Sequence, residues 1–128
     1  MFVIAHRGAS FAAPENTLSA FRKARELGAD GFETDIQLTR DQRLVIHHNY
    51  TVDARSNGTG RVWDMTREEL RQLDFGAWKD PAFAGERIPT LEECLEAARV
   101  DGAGEWQIFW RVVFPNLKSS LYTITVLS

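Results

Sequence analysis

One cysteine, Cys94, in 128 residues excludes an internal disulfide framework and a thiolate cage around a metal. Surplus charge of one sign is missing as well: 15 Lys and Arg stand against 18 Asp and Glu, interspersed, for a net charge of −3. Nothing in that balance points to nucleic acid or to an anionic membrane surface as a partner. No apolar run reaches the ~20 residues of a membrane-spanning helix, and the C-terminal stretch 121–128 ends well short of it. The chain opens on Phe2-Val3-Ile4-Ala5 with no basic leader and no cleavable apolar run, so a cytoplasmic location is expected for the enzyme-like part. The length suits a single domain, and an apolar content of 44% is ordinary for a soluble chain.

What is present is orderly over the first hundred residues. Residues 2–5 form a short apolar run stopped by a polar turn, the pattern of a buried strand. After the loop 8–14, Asn16 or Thr17 can cap a helix in which Leu18, Phe21, Ala24 and Leu27 recur at helical spacing, with Gly28 as the stop. In 31–39, Phe32, Thr34, Ile36 and Leu38 alternate with Glu33, Asp35 and Gln37, so a strand places both carboxylates on one face. Residues 44–48 predict a third strand and 55–60 a loop. Thr66-Arg67-Glu68-Glu69 and Thr90-Leu91-Glu92-Glu93 each fit a capping box, predicting two more short helices. Cys94 falls on the second of these, at a spacing that suits a buried helix position. Strand, helix, strand and strand again predict an α/β fold with a parallel sheet. In such sheets ligand chemistry gathers at the carboxyl ends of the strands.

His6, Arg7, Glu33, Asp35 and His48 all fall at or near such ends. Two acids on one inward strand face repel each other and are costly to desolvate unless a cation lies between them. A hard divalent ion takes oxygen ligands and resolves that cost. The same alternation also describes an edge strand whose Glu33, Asp35 and Gln37 face water. Two histidines ending neighbouring strands can flank one ligand, one removing a proton and the other supplying it. His47 and His48 are adjacent, face opposite ways on a strand, and only one of them can serve. Arg7 can hold a phosphate oxygen, or else form a surface ion pair. Together these groups suit the cutting of a phosphate ester with a divalent metal.

Taken in order, His6-Arg7-Gly8, Pro14-Glu15-Asn16-Thr17, Gly28-Ala29-Asp30, Glu33-Thr34-Asp35, Thr39-Arg40-Asp41, residues 44–48, Asn57-Gly58-Thr59-Gly60 and Ile88-Pro89-Thr90-Leu91-Glu92-Glu93 resemble the glycerophosphodiester phosphodiesterase family. The resemblance runs from residue 2 to about 97. It implies a TIM-like barrel and hydrolysis of glycerophosphodiesters to glycerol 3-phosphate and an alcohol, with Mg²⁺ or Ca²⁺ as cofactor. It further implies His6 and His48 as the acid–base pair and Arg7 as the phosphate-binding arginine. Glu15 and Asn16 would join Arg7 in binding substrate, and Glu33 and Asp35 would be metal ligands. Asn49 stands where the family often has an aspartate, which bears on the orientation of His48.

Beyond Ala98 that pattern stops. Glu96-Ala97-Ala98, Gly102 and Val112-Val113-Phe114-Pro115 are similar to the cytoplasmic coupling loop of sugar-type ABC transporter permeases. That resemblance implies a helical segment over 98–128, cut off within a membrane helix, with an ABC ATPase subunit as partner and peripheral membrane association. The alternative is a divergent unit of the barrel. The expected architecture is therefore an incomplete TIM-like (β/α) barrel of three to four strands in 1–97, followed by a helical C-terminal segment in 98–128. Because a (β/α)₈ barrel takes about 200 or more residues to close, exposed edges, self-association and impaired activity are expected. Trp106, Phe109, Trp110 and Phe114 add apolar surface.

Overall fold

A computed structural model describes residues 3–99, 107–113 and 121–127. The elements follow in the order β1 (Ile4–His6), α1 (Leu18–Glu26), β2 (Gly31–Leu38), β3 (Leu44–Ile46), α2 (Arg67–Arg71), α3 (Leu91–Arg99), β4 (Gln107–Val113) and β5 (Leu121–Leu127). Thr17 is the cap of α1: its hydroxyl accepts from the Ala20 N–H, satisfying one of the free donors of the first turn. Ala20, Phe21 and Ala24 turn that helix inward. Both predicted capping boxes form. Thr66 and Glu69 exchange hydrogen bonds at the start of α2, as do Thr90 and Glu93 at the start of α3.

The strand β2 is the hub of the sheet. Its Phe32 and Ile36 pack with Phe21, Ile46, Cys94, Ile124 and Val126 in one core, where the Phe21 and Phe32 rings stack at 4.4 Å. A second core of Val45, Val52, Val62, Leu70, Phe75 and Ile88 closes the long connection after β3. Burial pushes the Cys94 thiol up to about 12, which fits a packing role and not a nucleophile.

Two expectations are corrected here. The sheet is mixed, not parallel: β1 runs parallel to β2, but β3, β5 and β4 each pair antiparallel to their neighbour. The connection 39–43 is too short for a parallel crossover. It closes instead as a tight turn, with the Thr39 N–H donating to the Arg43 carbonyl at 2.9 Å and Gln42 at a φ of 63°. Beyond the end of α3 the C-terminal segment is not helical where it is described. β4 pairs antiparallel with β5 from Gln107↔Leu127 to Val113↔Leu121, and in β5 Tyr122, Ile124 and Val126 alternate with Thr123 and Thr125, the period of a strand. Three strands fall before residue 97, within the three to four expected there, and β4 and β5 add two more in the segment expected to be helical. Trp106 and, of the permease-like motif, Gly102, Phe114 and Pro115 lie outside the described residues, while Glu96, Ala97 and Ala98 lie on α3 and Phe109, Trp110, Val112 and Val113 on β4.

The expected burial of the first strand also fails: Val3 and Ile4 are 55% and 37% exposed. The reading of β2 as an edge strand fails too: β5 pairs with it from Gly31 to Gln37 on one side, and β1 and β3 pair with it on the other. Among the described residues no helix is long and apolar enough to cross a membrane.

Candidate active site

Because β5 occupies one edge of β2 over its length, β1 and β3 share the other edge. β1 climbs it from Ile4↔Gly31 to His6↔Glu33, and β3 descends it from Leu44↔Leu38 to Ile46↔Ile36. The ladder continues one step past each strand, with Arg7 N–H donating to the Glu33 carbonyl at 2.7 Å and His47 N–H to the Asp35 carbonyl at 3.0 Å. Two chain segments thus arrive head to head at the level of Thr34, one bringing His6 and Arg7, the other His47 and His48.

Asn16 fills the break between them. Its backbone N–H donates to the Arg7 carbonyl at 2.9 Å. Its side chain donates through Nδ2 to Asp35 Oδ2 at 3.1 Å and accepts from Thr34 Oγ1 at 2.7 Å. This return of the chain needs left-handed backbone at Arg7 (φ 59°), Gly8 (φ 79°) and Asn16 (φ 55°). Glycine at position 8 is required twice over, since a Cβ there would sit 2.7 Å from Ala20 Cβ.

Charges alternate through the site. Arg7 Nη1 donates to Glu15 Oε2 at 3.1 Å, and Arg7 Nε lies 3.7 Å from Asp35 Oδ2. Glu15 Oε1 accepts from Arg55 Nε at 3.1 Å. Burial pushes the Glu15 carboxyl up, but the hydrogen bonds and charges of Arg55 and Arg7 outweigh it and hold the group below its ordinary value. Asp35 is buried, and its Oδ1 accepts from Thr123 Oγ1 on β5 at 3.2 Å. Glu33, on the same face, keeps a side-chain exposure of 38% and lies 3.7 Å from His6 Nε2. The reading in which Glu33, Asp35 and Gln37 all face water is excluded, because Asp35 and Gln37 are buried.

The two adjacent histidines, just past the end of β3, sit in different surroundings. His47 is buried in the second core, its ring edge-on to Phe75 with centroids 5.5 Å apart. Its Nε2 lies 3.1 Å from the Thr51 carbonyl, which can only accept, so Nε2 carries the hydrogen. Burial pulls its pKa down to about 4. His48 is half-buried, with Nδ1 3.1 Å from Asn49 Oδ1.

The structure thus gathers His6, Arg7, Glu15, Asn16, Glu33 and Asp35 around one break in the sheet and brings the His48 segment to it. Sequence reasoning missed Arg55, Thr123 and Thr34. Arg55 lay in a stretch read only as loop, and Thr123 in a segment read as membrane helix. Glu33 and Asp35, at alternate positions of β2, offer the carboxylate oxygens that a hard divalent cation takes. Mg²⁺ commonly takes one or two carboxylates and completes its shell with water and phosphate oxygens. Among the described residues no group of three or more His, Cys, Asp or Glu side chains is placed to hold a metal.

The site sets guanidinium, carboxylate and imidazole groups side by side at a strand end. The profile of the Glycerophosphoryl diester phosphodiesterase family matches residues 6–111, and the chain belongs to that family. It is 57% identical over 94 residues to a glycerophosphodiester phosphodiesterase of Caldanaerobacter subterraneus, covering 73% of this chain and 39% of the relative. Its fold superposes on the glycerophosphodiester phosphodiesterase of Agrobacterium tumefaciens with a TM-score of 0.75 at 40% identity, covering 77% of this chain and 43% of that one. It is also similar to an Oleispira antarctica phosphodiesterase solved with the product sn-glycerol 3-phosphate, with a TM-score of 0.74, 40% identity and coverage of 76% and 39%. The chain spans about two fifths of the length of the curated relatives it matches.

Proposed function

We propose that the chain carries the phosphate-binding and proton-transferring part of a hydrolase acting on glycerophosphodiesters. Arg7 holds the phosphoryl oxygens, assisted by Asn16, while Glu15 fixes the guanidinium. One of His6 and His48 takes the proton from the nucleophile, a water or the neighbouring hydroxyl of the glycerol. The other gives a proton to the leaving alkoxide. Glu33 and Asp35 would hold a divalent cation, which when bound offsets charge on the phosphoryl oxygens.

The observation that carries this reading is the head-to-head meeting of the His6-Arg7 and His47-His48 segments beside Glu33 and Asp35 on one edge of β2. Membership of the family supports it. The test is release of glycerol 3-phosphate from glycerophosphocholine with and without Mg²⁺ or Ca²⁺. Activity that needs the ion and is lost in His6→Ala, His48→Ala and Glu33→Gln is expected. Activity unchanged in all three variants would refute the assignment. The permease-like reading of 98–128 called for helices, and β4 is a strand paired along its length with β5.

A further inference from the structure

Glu15 is held between two guanidiniums, Arg7 at Oε2 and Arg55 at Oε1, each at 3.1 Å, and its side chain is only 12% exposed. Arg55 is fixed from its other side. Its guanidinium carbon lies 4.4 Å from the centre of the Trp78 ring, and the Trp78 indole N–H donates to the Phe75 carbonyl at 2.8 Å. Beside Trp78, Lys79 Nζ donates to the Ser10 carbonyl at 2.9 Å, tying the same loop to the segment that carries Glu15. Arg7 also faces Asp35, and its Nε–H makes no hydrogen bond among the described residues. Without Arg55, one guanidinium would stand against two carboxylates, an arrangement that repels anions. With Arg55, the four charges balance, and Glu15 anchors Arg7 without cancelling it.

We propose that Arg55 is a positioning residue for phosphate binding: by sharing Glu15 it keeps the Arg7 guanidinium in place and leaves its charge available to a phosphate ester. The inference rests on the functional reading above for its ligand, but its effect on Arg7 is measurable without one. Neither the residues that carry the family resemblance nor the acid–base pair includes Arg55.

The test is binding of sn-glycerol 3-phosphate to the full chain by calorimetry, in the wild type, Arg55→Gln and Arg55→Lys, with thermal unfolding and NMR hydrogen exchange of the Arg7 Nε–H alongside. Arg55→Gln is expected to weaken binding roughly tenfold, the size of one charge-assisted contact, and to speed Arg7 Nε–H exchange. Arg55→Lys restores the charge but not the stacked fork, and is expected to recover affinity to within about threefold. Wild-type affinity and exchange in Arg55→Gln would overturn the proposal. So would a loss that follows the drop in thermal stability and is not rescued by Arg55→Lys, since that marks a merely structural role. If the wild type itself fails to bind, the phosphodiesterase reading falls, and unchanged Nε–H exchange in Arg55→Gln would then overturn the role of Arg55 separately.

Discussion

Acidification is expected to destabilise the fold through His47, a residue outside the proposed chemistry. Its imidazole is buried against Phe75, and its Nε2–H donates to the Thr51 carbonyl at 3.1 Å. Burial holds its pKa at about 4, against an ordinary 6.5. Between those values the unfolded chain takes up a proton that the native one refuses. Stability is therefore fully present above about pH 6.5 and is lost progressively as pH falls towards 4. At about 1.36 kcal/mol per pH unit the whole loss is about 3 kcal/mol, most of which falls before pH 4.5. Glu15 and Glu93 sit below 4.5 and Asp74 below 3.8, so the stability their charged forms add is lost only at lower pH. Urea unfolding followed by circular dichroism at pH 7.5, 6.5, 5.5 and 4.5 reads this directly. His47→Leu leaves the Thr51 carbonyl unpaired and lowers the plateau, but should flatten the slope between pH 6.5 and 4.5. Parallel slopes in the two proteins would refute the reasoning.

The other expectations concern the site and its frame. Gly8→Ala forces a Cβ into contact with Ala20 at a positive φ and should cost about 2–4 kcal/mol in urea denaturation. Thr17→Ala removes the cap of α1 and should cost about 1 kcal/mol by the same assay. His6→Ala and His48→Ala should each lower turnover of glycerophosphocholine by about 10²–10⁴-fold with little change in unfolding midpoint; equal loss of stability would argue against a role in proton transfer. Cys94 should react with a thiol reagent at pH 8 only as fast as the chain opens, because its thiol sits near 12, and labelling at the rate of free cysteine would contradict its burial.

Much of the frame was legible in the residue pattern. The alternation through 31–38, the helical spacing from Leu18 and the two capping boxes are local signals, and local chemistry decided them. Strand direction was not legible, because a period of two looks the same whichever way the strand runs. The brevity of 39–43 was the signal that would have turned β3 around. In β5, Tyr122, Ile124 and Val126 alternate with Thr123 and Thr125, a strand pattern that the permease resemblance hid. At the site, residue types could nominate Glu33 and Asp35, but not that Asp35 would be buried under Asn16 and Thr123. Those partners lie 19 and 88 positions away in the chain. Arg55 escaped for the same reason: its role depends on a carboxylate 40 positions earlier and on a ring that only the folded loop supplies.

The break in the ladder beside Thr34 makes the reactive groups local in the chain. Both imidazoles, Arg7 and both acids come from the first 48 residues, whereas the cluster of Val52, Val62, Leu70, Phe75 and Ile88 belongs to the connection that follows. A protease nick among the exposed residues Asp80, Pro81, Ala82, Ala84 and Gly85 would leave every one of those groups on a single fragment. The anchoring of Arg55 by Trp78 and the hydrogen bonds from Lys79 to Ser10 and from Ser19 to Glu86 lie close to such a cut. The molecule can in principle be divided there into two pieces, with the proton-handling groups kept whole on the first.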